Sequence, residues 1–522
     1  MPDPGNSRVE QQLVDTRGKR LYSSFVSALK LVKKQDEFEI YKHPLHCCTV
    51  ITKNFQNLQL GGKACGLIEL MEEGFPTIKE AVFVSNEVFD WMRPGNESHS
   101  EDLEQCAKIL PAIKETMKLA GIRAFIAVRS SGFEDQISHT AAGVYETEFS
   151  HLKESDNELI KKLVTVSRSG ISKKASRFAT RMGVEPAPCP VILQQIFGQD
   201  ETWENGTTNC YPGFSAFVDT SSPSHIHISL IEGLGTPLAK GLLGLGLRVS
   251  RTTGETEVLN KGRYRVNLKG IQIGDEFLIE LDEYTDVDSW ELSMLYDRLI
   301  EPILPLIDPL EARYDQLGLI GVALEIGLDY QNQIGKVTDL KIIQRRPVQK
   351  LLTNFDLKAP ALEDDLLGAS SAVIGQNTFT AQSCYYLKKT DSTEIDRLRD
   401  FNQQNPNGYL LFYVPVWGEW RESLEDFKQA VVEGICSNAK GVVLVDPVIH
   451  TSLETTSHYA HFFASEKLPI LAINLQDRLH FTRNYRPALI RVLKNANRAF
   501  DFGRPVTLSV DQVVAKGNLF LT

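Results

Sequence analysis

One stretch constrains this chain more than any other. Residues 126–149, IAVRSSGFEDQISHTAAGVYETEF, carry a cation and two hydroxyls directly after an apolar run. The run 125–128 predicts a short buried strand, and the small residues at 140–143 allow a close backbone approach. Arg129 with hydroxyls and backbone N–H groups at a strand end suits a polyphosphate. The alternative is a buried Arg129 paired with Glu134 or Asp135 beside an ordinary glycine turn.

Length, charge and cysteine usage limit the classes of protein. The 522 residues, 42% of them hydrophobic, correspond to about three globular domains. A formal net charge of −11 without a Lys/Arg-rich block argues against a nucleic-acid partner. The eight cysteines are scattered without zinc spacing, which favours reduced thiols and a cytoplasmic location. No apolar run approaches the ~18 residues needed to cross a membrane, so no membrane partner is expected.

A glycine-rich segment, LGGKACGL at 60–67, opens a predicted helix. The ammonium of Lys63 beside the free backbone N–H groups of a helix start favours phosphate. The segment is not a Walker A loop, because the first glycine and the GK[ST] ending are missing. A glycine-rich helix entry without a ligand is the alternative.

A predicted hairpin over 321–329 and 340–348 carries a second candidate site. With a short turn between the strands, Glu325 and Gln344 become cross-strand neighbours. A carboxylate beside an amide carbonyl offers two hard oxygen ligands, which suit Mg²⁺ held together with phosphate oxygens. Arg346 would contact the same phosphates. The alternative is a solvated Glu–Arg pair on an exposed face.

Near the end of the chain, ETTSHYAH at 454–461 places His458 just inside a predicted helix. Hydroxyls, N–H groups and the helix dipole suit a phosphoryl group on its imidazole. A capped helix with a partly buried histidine is the commoner arrangement, and His461 could compete for the role. Predicted strands at 409–415 and 441–445 indicate a compact α/β domain here.

Together these segments resemble the pyruvate phosphate dikinase and phosphoenolpyruvate synthase family. The resemblance implies an α/β and α+β architecture, in which a two-lobed ATP-grasp domain precedes a small swivelling α/β phosphohistidine domain. It is carried by GGK and the Gly-Phe-Pro turn at 74–76, AVRSS at 127–131, GLG at 233–235, Gln-Arg-Arg-Pro at 344–347 and Thr-Ser-His-Tyr-Ala at 456–460.

No pyruvate barrel is recognisable, so the arrangement is similar to those of rifampicin phosphotransferase and glutamine kinase, although the linker is too short for a substrate domain. Two departures from the family pattern, at 454–455 and 464–465, affect the surroundings of His458. The implied domains are an N-terminal extension at 1–44, an ATP-grasp domain at 45–350 with lobes at about 45–188 and 189–350, a linker at 351–367 and the swivelling domain at 368–522.

The resemblance also implies ATP and Mg²⁺ as cofactors, with metal ligands at Glu325 and Gln344. The implied catalytic residues are His458, Lys63, Arg129 and Arg346. The implied nucleotide-binding residues are Lys63, Arg129, Thr140, Gly143, Gln194, Gln195, Ile196, Glu325, Gln344 and Arg346.

The implied function is ATP-dependent phosphotransfer. The chain would phosphorylate its own His458, release AMP and phosphate, and pass the phosphoryl group to a small-molecule acceptor. The alternatives are an ATP-grasp ligase or condensing enzyme acting through a phosphorylated intermediate, and a non-catalytic nucleotide-binding subunit. Helical spacing over 21–35 predicts an amphipathic helix, a candidate docking surface for a partner subunit or a second copy of the chain.

Overall fold

In a computed structural model, the contacts within the chain divide it into two compact units. The first comprises Met1–Val218, Leu230–Thr236 and Lys261–Val348, and the second comprises Asp219–Ser229, Pro237–Asn260 and Gln349–Thr522. The described residues are 22–35, 38–93, 99–132, 145–181, 184–202, 207–211, 213–239, 244–260, 264–273, 276–285, 290–312, 320–331, 336–349, 358, 366–370, 372–374, 376–387, 391–413, 427, 430–431, 433–446, 468–474, 505–511 and 516–521.

These residues form several sheets and helices, so the protein is mixed α/β, as expected. None of the described helices is long and apolar enough to cross a membrane.

The first unit contains a seven-stranded sheet with the order β1-β2-β3-β4-β7-β5-β6. Its central neighbours β4, β7 and β5 pair antiparallel, whereas β3 pairs with β4 in parallel. The strands are β1 (Lys30–Gln35), β2 (Phe38–Lys42), β3 (Thr49–Thr52), β4 (Ala81–Val84), β5 (Phe125–Ser130), β6 (Thr147–His151) and β7 (Val191–Gln195). The helices around it are α1 (22–28), α2 (Gly61–Glu72), α3 (His99–Leu119), α4 (Asp156–Arg168) and α5 (Lys173–Arg181).

Alternation along the strands gives this sheet two faces. One, here called the α3–α4 face, is an apolar core shared with those two helices. It includes Val82, Val84, Ile126, Val128, Val191 and Leu193 from the sheet, Ile109, Ile113 and Met117 from α3, and Leu159, Leu163 and Val164 from α4.

The opposite face, here called the α2 face, carries two separate apolar clusters. Arg129 pairs with Ile192 of the first cluster, and Gln194 pairs with Ala127 beside the second. Two polar side chains therefore lie on a face that is otherwise a core. The first cluster includes Val50, Ala81, Phe83 and Ile192 with Ala64, Leu67 and Ile68 of α2. The second contains Ala124, Phe125, Ile196, Leu234, Val266 and Leu268.

A second, larger sheet contains seven strands in the order β17-β16-β10-β11-β14-β9-β8, and β15 also pairs with β14. The predicted hairpin over 321–348 is confirmed as β16–β17, and β10 and β11 are likewise neighbours in this sheet. The elements are β8 (Gln199–Thr202), β9 (Thr208–Tyr211), β10 (Phe214–Asp219), β11 (His225–Gly233), β14 (Tyr264–Ile273), β15 (Glu276–Thr285), β16 (Ile320–Gln331), β17 (Lys336–Gln349), α6 (Thr236–Ala239), α7 (Trp290–Ile300) and α8 (Leu304–Ala312).

In the second unit, β12 (Leu245–Ser250) and β13 (Thr256–Asn260) pair antiparallel. A five-stranded sheet has the order β19-β24-β23-β22-β21, and its four last strands are parallel. A four-stranded antiparallel sheet has the order β18-β26-β25-β20. The elements are β18 (Leu366–Ser370), β19 (Ala372–Ile374), β20 (Gln376–Ala381), β21 (Cys384–Leu387), α9 (Ser392–Gln404), β22 (Tyr409–Tyr413), β23 (Ala439–Asp446), β24 (Ile470–Asn474), β25 (Val506–Asp511) and β26 (Lys516–Leu521).

The predicted helix over 21–35 is wrong beyond residue 28. Residues 30–35 form β1, which pairs with β2 at the edge of the seven-stranded sheet. Phe25 is fully buried, whereas Val32 is 48% exposed, so the apolar stripe does not continue. Backbone pairing with β2 overrides the helical spacing. Residues 30–42 therefore belong to this sheet, although they lie within the segment assigned above to an extension.

Candidate functional site

Arg129 is the centre of a polar network within the first unit. Its Nη1 donates to Gln194 Oε1 at 3.0 Å and to the backbone oxygen of Ile343 at 3.1 Å. Its Nη2 donates to Glu325 Oε2 at 3.4 Å and to the side-chain oxygen of Gln344. One nearly buried guanidinium thus connects β5, β7, β16 and β17.

Glu325 is shared by two arginines. Arg346 Nη2 donates to its Oε1 at 3.3 Å, while Arg129 contacts Oε2. Arg346 and Gln344 are buried, whereas the Glu325 side chain is 18% exposed. The structure therefore brings five of the predicted residues together, namely Arg129, Gln194, Glu325, Gln344 and Arg346. The carboxylate is their most accessible member. Two guanidinium groups around one carboxylate suit a ligand that brings both an anion for the arginines and a cation for the carboxylate.

Gln194 has one satisfied and one unsatisfied end. Its oxygen accepts from Arg129, but its Nε2 is buried with no hydrogen-bond partner in the structure as described. A buried donor without an acceptor costs about 1–3 kcal/mol. An acceptor atom on a bound ligand would remove this cost, so the amide favours a polar ligand beside Arg129.

The start of helix α2 is fixed against the end of β5. Gly61 has φ +78°, and a Cβ there would lie 1.4 Å from the backbone oxygen of Ser131. Ser131 Oγ accepts from the backbone N–H of Ala64 at 2.9 Å. This helix N–H is therefore occupied by protein, and Lys63, buried in the first turn, is the group of this segment that suits phosphate.

Two residues of the same region, Glu69 and Arg345, are not among the site residues predicted from the sequence. Arg345 Nη2 donates to the carboxylate of Glu69, and these side chains are only 7% and 9% exposed. Arg345 lies on the face of β17 opposite to Gln344 and Arg346, because successive strand residues alternate. The available signal was a charged Glu69 within the otherwise apolar run at 67–71.

Two further predicted nucleotide contacts, Gln195 and Ile196, have partners within the protein. Gln195 Oε1 accepts from the backbone N–H of Arg123 at 2.8 Å. Ile196 belongs to the second apolar cluster, and its N–H donates to Phe125 O at 3.0 Å. Thr140, Gly143, His458 and His461 lie outside the described residues.

One cluster, away from the Arg129 network, has the composition of a transition-metal site. The Nε2 atoms of His43 and His46 lie 3.5 and 3.2 Å from Glu72 Oε1. However, the backbone N–H groups of Leu45 and His46 donate to His43 Nδ1 at 3.3 and 3.2 Å. The proton of the neutral ring must then be on Nε2, which cannot ligate a metal.

The pKa of His43 agrees with this conclusion. Burial, and then the neighbouring His46, hold the pKa of His43 below its usual range, which keeps the ring neutral. The cluster is therefore a packed group of polar side chains. Glu325 and Gln344 fit Mg²⁺ better, because they offer hard oxygen ligands and both accept from Arg129 Nη2.

Comparisons with known proteins do not assign a function to this chain. No family model matches the chain, and no curated protein matches it.

Proposed function

We propose that this chain is an ATP-dependent phosphotransferase of the dikinase type. The first unit would be a two-lobed ATP-grasp domain, and the chain after the linker would be a swivelling α/β phosphohistidine domain. The single observation that carries the proposal is the convergence of Gln194, Glu325 and Gln344 on Arg129. A cytoplasmic location is supported by the free thiols of the described cysteines.

Each residue of the network has a role in this proposal. Arg129, Arg346 and Lys63 would neutralise the charge on the phosphates during transfer. Glu325 and Gln344 would hold Mg²⁺, which would supply positive charge to neutralise part of the charge on the phosphates. Gln194 would donate its unpaired N–H to the nucleotide. The arginines now paired with Glu325 would then turn part of their hydrogen bonding to phosphate.

The reaction consumes ATP, water and the imidazole of His458. The α–β and β–γ P–O bonds break and a P–N bond forms, which gives AMP, inorganic phosphate and phosphohistidine. In the second half, the P–N bond breaks and the phosphoryl group passes to an oxygen or nitrogen of the acceptor, which loses a proton. An amide, an alcohol or a guanidine fits this chemistry, bound by this chain or by a partner subunit.

The test uses ATP labelled at the β or, separately, at the γ phosphorus, with Mg²⁺. We expect acid-labile label on the wild-type protein. His458→Ala should lose the label and keep ATP binding, whereas His461→Ala should keep both. Loss of the label in His461→Ala alone would reassign the acceptor histidine.

Two other outcomes favour the alternatives. ATP binding without label and without AMP–ATP isotope exchange indicates a nucleotide-binding subunit. Label that appears only on an added amine substrate, and never on protein, indicates a ligase. Incubating labelled protein with pools of small metabolites would then identify the acceptor by discharge of the label.

A further inference from the structure

We infer that Glu69 and Arg345 are a positioning pair, which holds Lys63 in place relative to Gln344 and Arg346. The inference rests on the proposed function, because it concerns the geometry of that site. Neither side chain faces the Arg129 network directly. They act through helix α2 and strand β17, which carry the residues that do.

Helix α2 is attached at two points along its length. At its start, the N–H groups of Gly62 and Ala64 donate to Gly132 O at 2.8 Å and Ser131 Oγ at 2.9 Å. Near its end, Glu69 accepts from Arg345. Lys63 and Glu69 are six positions apart, or roughly 9 Å along the helix axis. With both ends attached, the helix cannot pivot, and Lys63 keeps one position relative to β5 and β17.

Strand β17 is held by the same contact from its other side. Arg345 stands between Gln344 and Arg346 in the chain, so a shift of Arg345 moves both. The guanidinium lies close against the helix, with its Nε 3.4 Å from the place where a Cβ of Gly66 would stand. A second link follows directly after α2, where Ile342 N donates to Pro76 O at 2.7 Å.

Stability alone does not account for this pair. Replacing both members of a buried ion pair by apolar residues is often neutral or stabilising, because two charges no longer need to be desolvated. A guanidinium and a carboxylate do, however, fix the direction of approach through planar, charge-assisted hydrogen bonds. Apolar side chains of similar size would keep the contact and lose that direction.

The test is the double variant Glu69→Leu/Arg345→Met, which avoids leaving one buried charge unpaired. We expect a folded protein with a thermal midpoint close to that of the wild type. Single-turnover phosphorylation of His458 should fall on the order of 100-fold, since a displacement of about 1 Å can cost that much. The affinity for Mg·ATP should fall much less, because the binding groups are all present.

The matched control is Asp102→Leu/Arg168→Met. This pair, at 3.0 Å with side chains 4% and 17% exposed, joins α3 to α4 on the other side of the sheet. The control should keep the wild-type transfer rate. A wild-type rate in Glu69→Leu/Arg345→Met would overturn the inference, and so would an equal loss in both double variants.

Hydrogen exchange of the amides at 61–66, measured without nucleotide, separates this inference from the proposed function. Faster exchange in Glu69→Leu/Arg345→Met than in the control supports the positioning pair even if the wild type binds no ATP, in which case the proposed function fails alone. Unchanged exchange overturns the positioning pair whatever the nucleotide result.

Discussion

The two faces of the seven-stranded sheet are built from the same strands and differ in what they tolerate. On the α3–α4 face, alternate residues such as Ile126, Val128 and Leu193 are apolar and buried. On the α2 face, the residues between them include Arg129 and Gln194, which are equally buried. A buried polar group is costly unless it is hydrogen-bonded, so the second face requires partners that the first does not.

Those partners come from distant chain segments rather than from the sheet itself. Glu325 and Gln344 reach Arg129 from β16 and β17, and Glu69 on α2 meets Arg345 from the other side of β17. The α3–α4 face is an apolar core throughout, whereas the α2 face combines apolar clusters with a buried polar network. Variants on the α3–α4 face should therefore change stability alone, whereas variants of the Arg129 network should change both stability and binding.

The largest effect is expected for Arg129→Met. Glu325, Gln344 and Gln194 all lose this donor, and breaking a buried charged network costs about 3–5 kcal/mol. We expect the free energy of unfolding in urea to fall by about that amount and binding of Mg·ATP to be lost. Arg123→Met, at an exposed position before β5, is the control and should change neither. Retained ATP affinity in Arg129→Met would remove Arg129 from the site.

A smaller effect, on stability alone, is expected for Leu163→Ala. Leu163 is fully buried on the α3–α4 face, and the cavity left by this change costs about 3 kcal/mol. Where the variant is folded, its affinity for Mg·ATP should equal that of the wild type. Leu152→Ala, at a position 44% exposed, is the control for the loss of side-chain volume. Weaker ATP binding in folded Leu163→Ala would show that the two faces are coupled.

The smallest effect concerns His151, which packs on Phe125 and Phe277 beside the α2 face. Burial, and then the charge of Lys153, lower the pKa of His151 to about 4. Between about pH 4 and 6.5 the unfolded chain binds the extra proton, so this contribution to stability is present above pH 6.5 and is lost as the pH falls. At pH 5 the loss is about 2 kcal/mol.

The measurement is the unfolding free energy from pH 7 to pH 4.5 in the wild type and His151→Gln. The variant should show the shallower slope, because glutamine does not titrate. Equal slopes would mean that the pKa of His151 is the same in the folded and the unfolded chain.

Local parts of the fold were readable from the sequence. The apolar run at 125–128 forms β5, and the alternation at 321–348 forms β16 and β17. Glu325 and Gln344 lie on the two strands of this local hairpin, and both accept from Arg129. The same alternation places Arg345 on the opposite face from Arg346.

Pairing between distant segments was not readable. Glu69 and Arg345 are 276 positions apart, and no local period connects them. Helical spacing wrongly predicts a helix at the edge strand β1, because pairing with β2, rather than that spacing, determines its conformation. Gln195 is likewise predicted to contact the nucleotide, yet its side chain accepts from the backbone N–H of Arg123, just before β5.

The separation between Arg129 and its partners has a consequence for synthesis. Glu325 and Gln344 follow Arg129 by 196 and 215 positions, whereas the core of the α3–α4 face lies within residues 38–193. At about 5–20 residues per second, the ribosome makes the partners roughly 10–40 s after Arg129. A growing chain can close its apolar cores during this interval, while Arg129 and Gln194 lack these partners until β16 and β17 emerge.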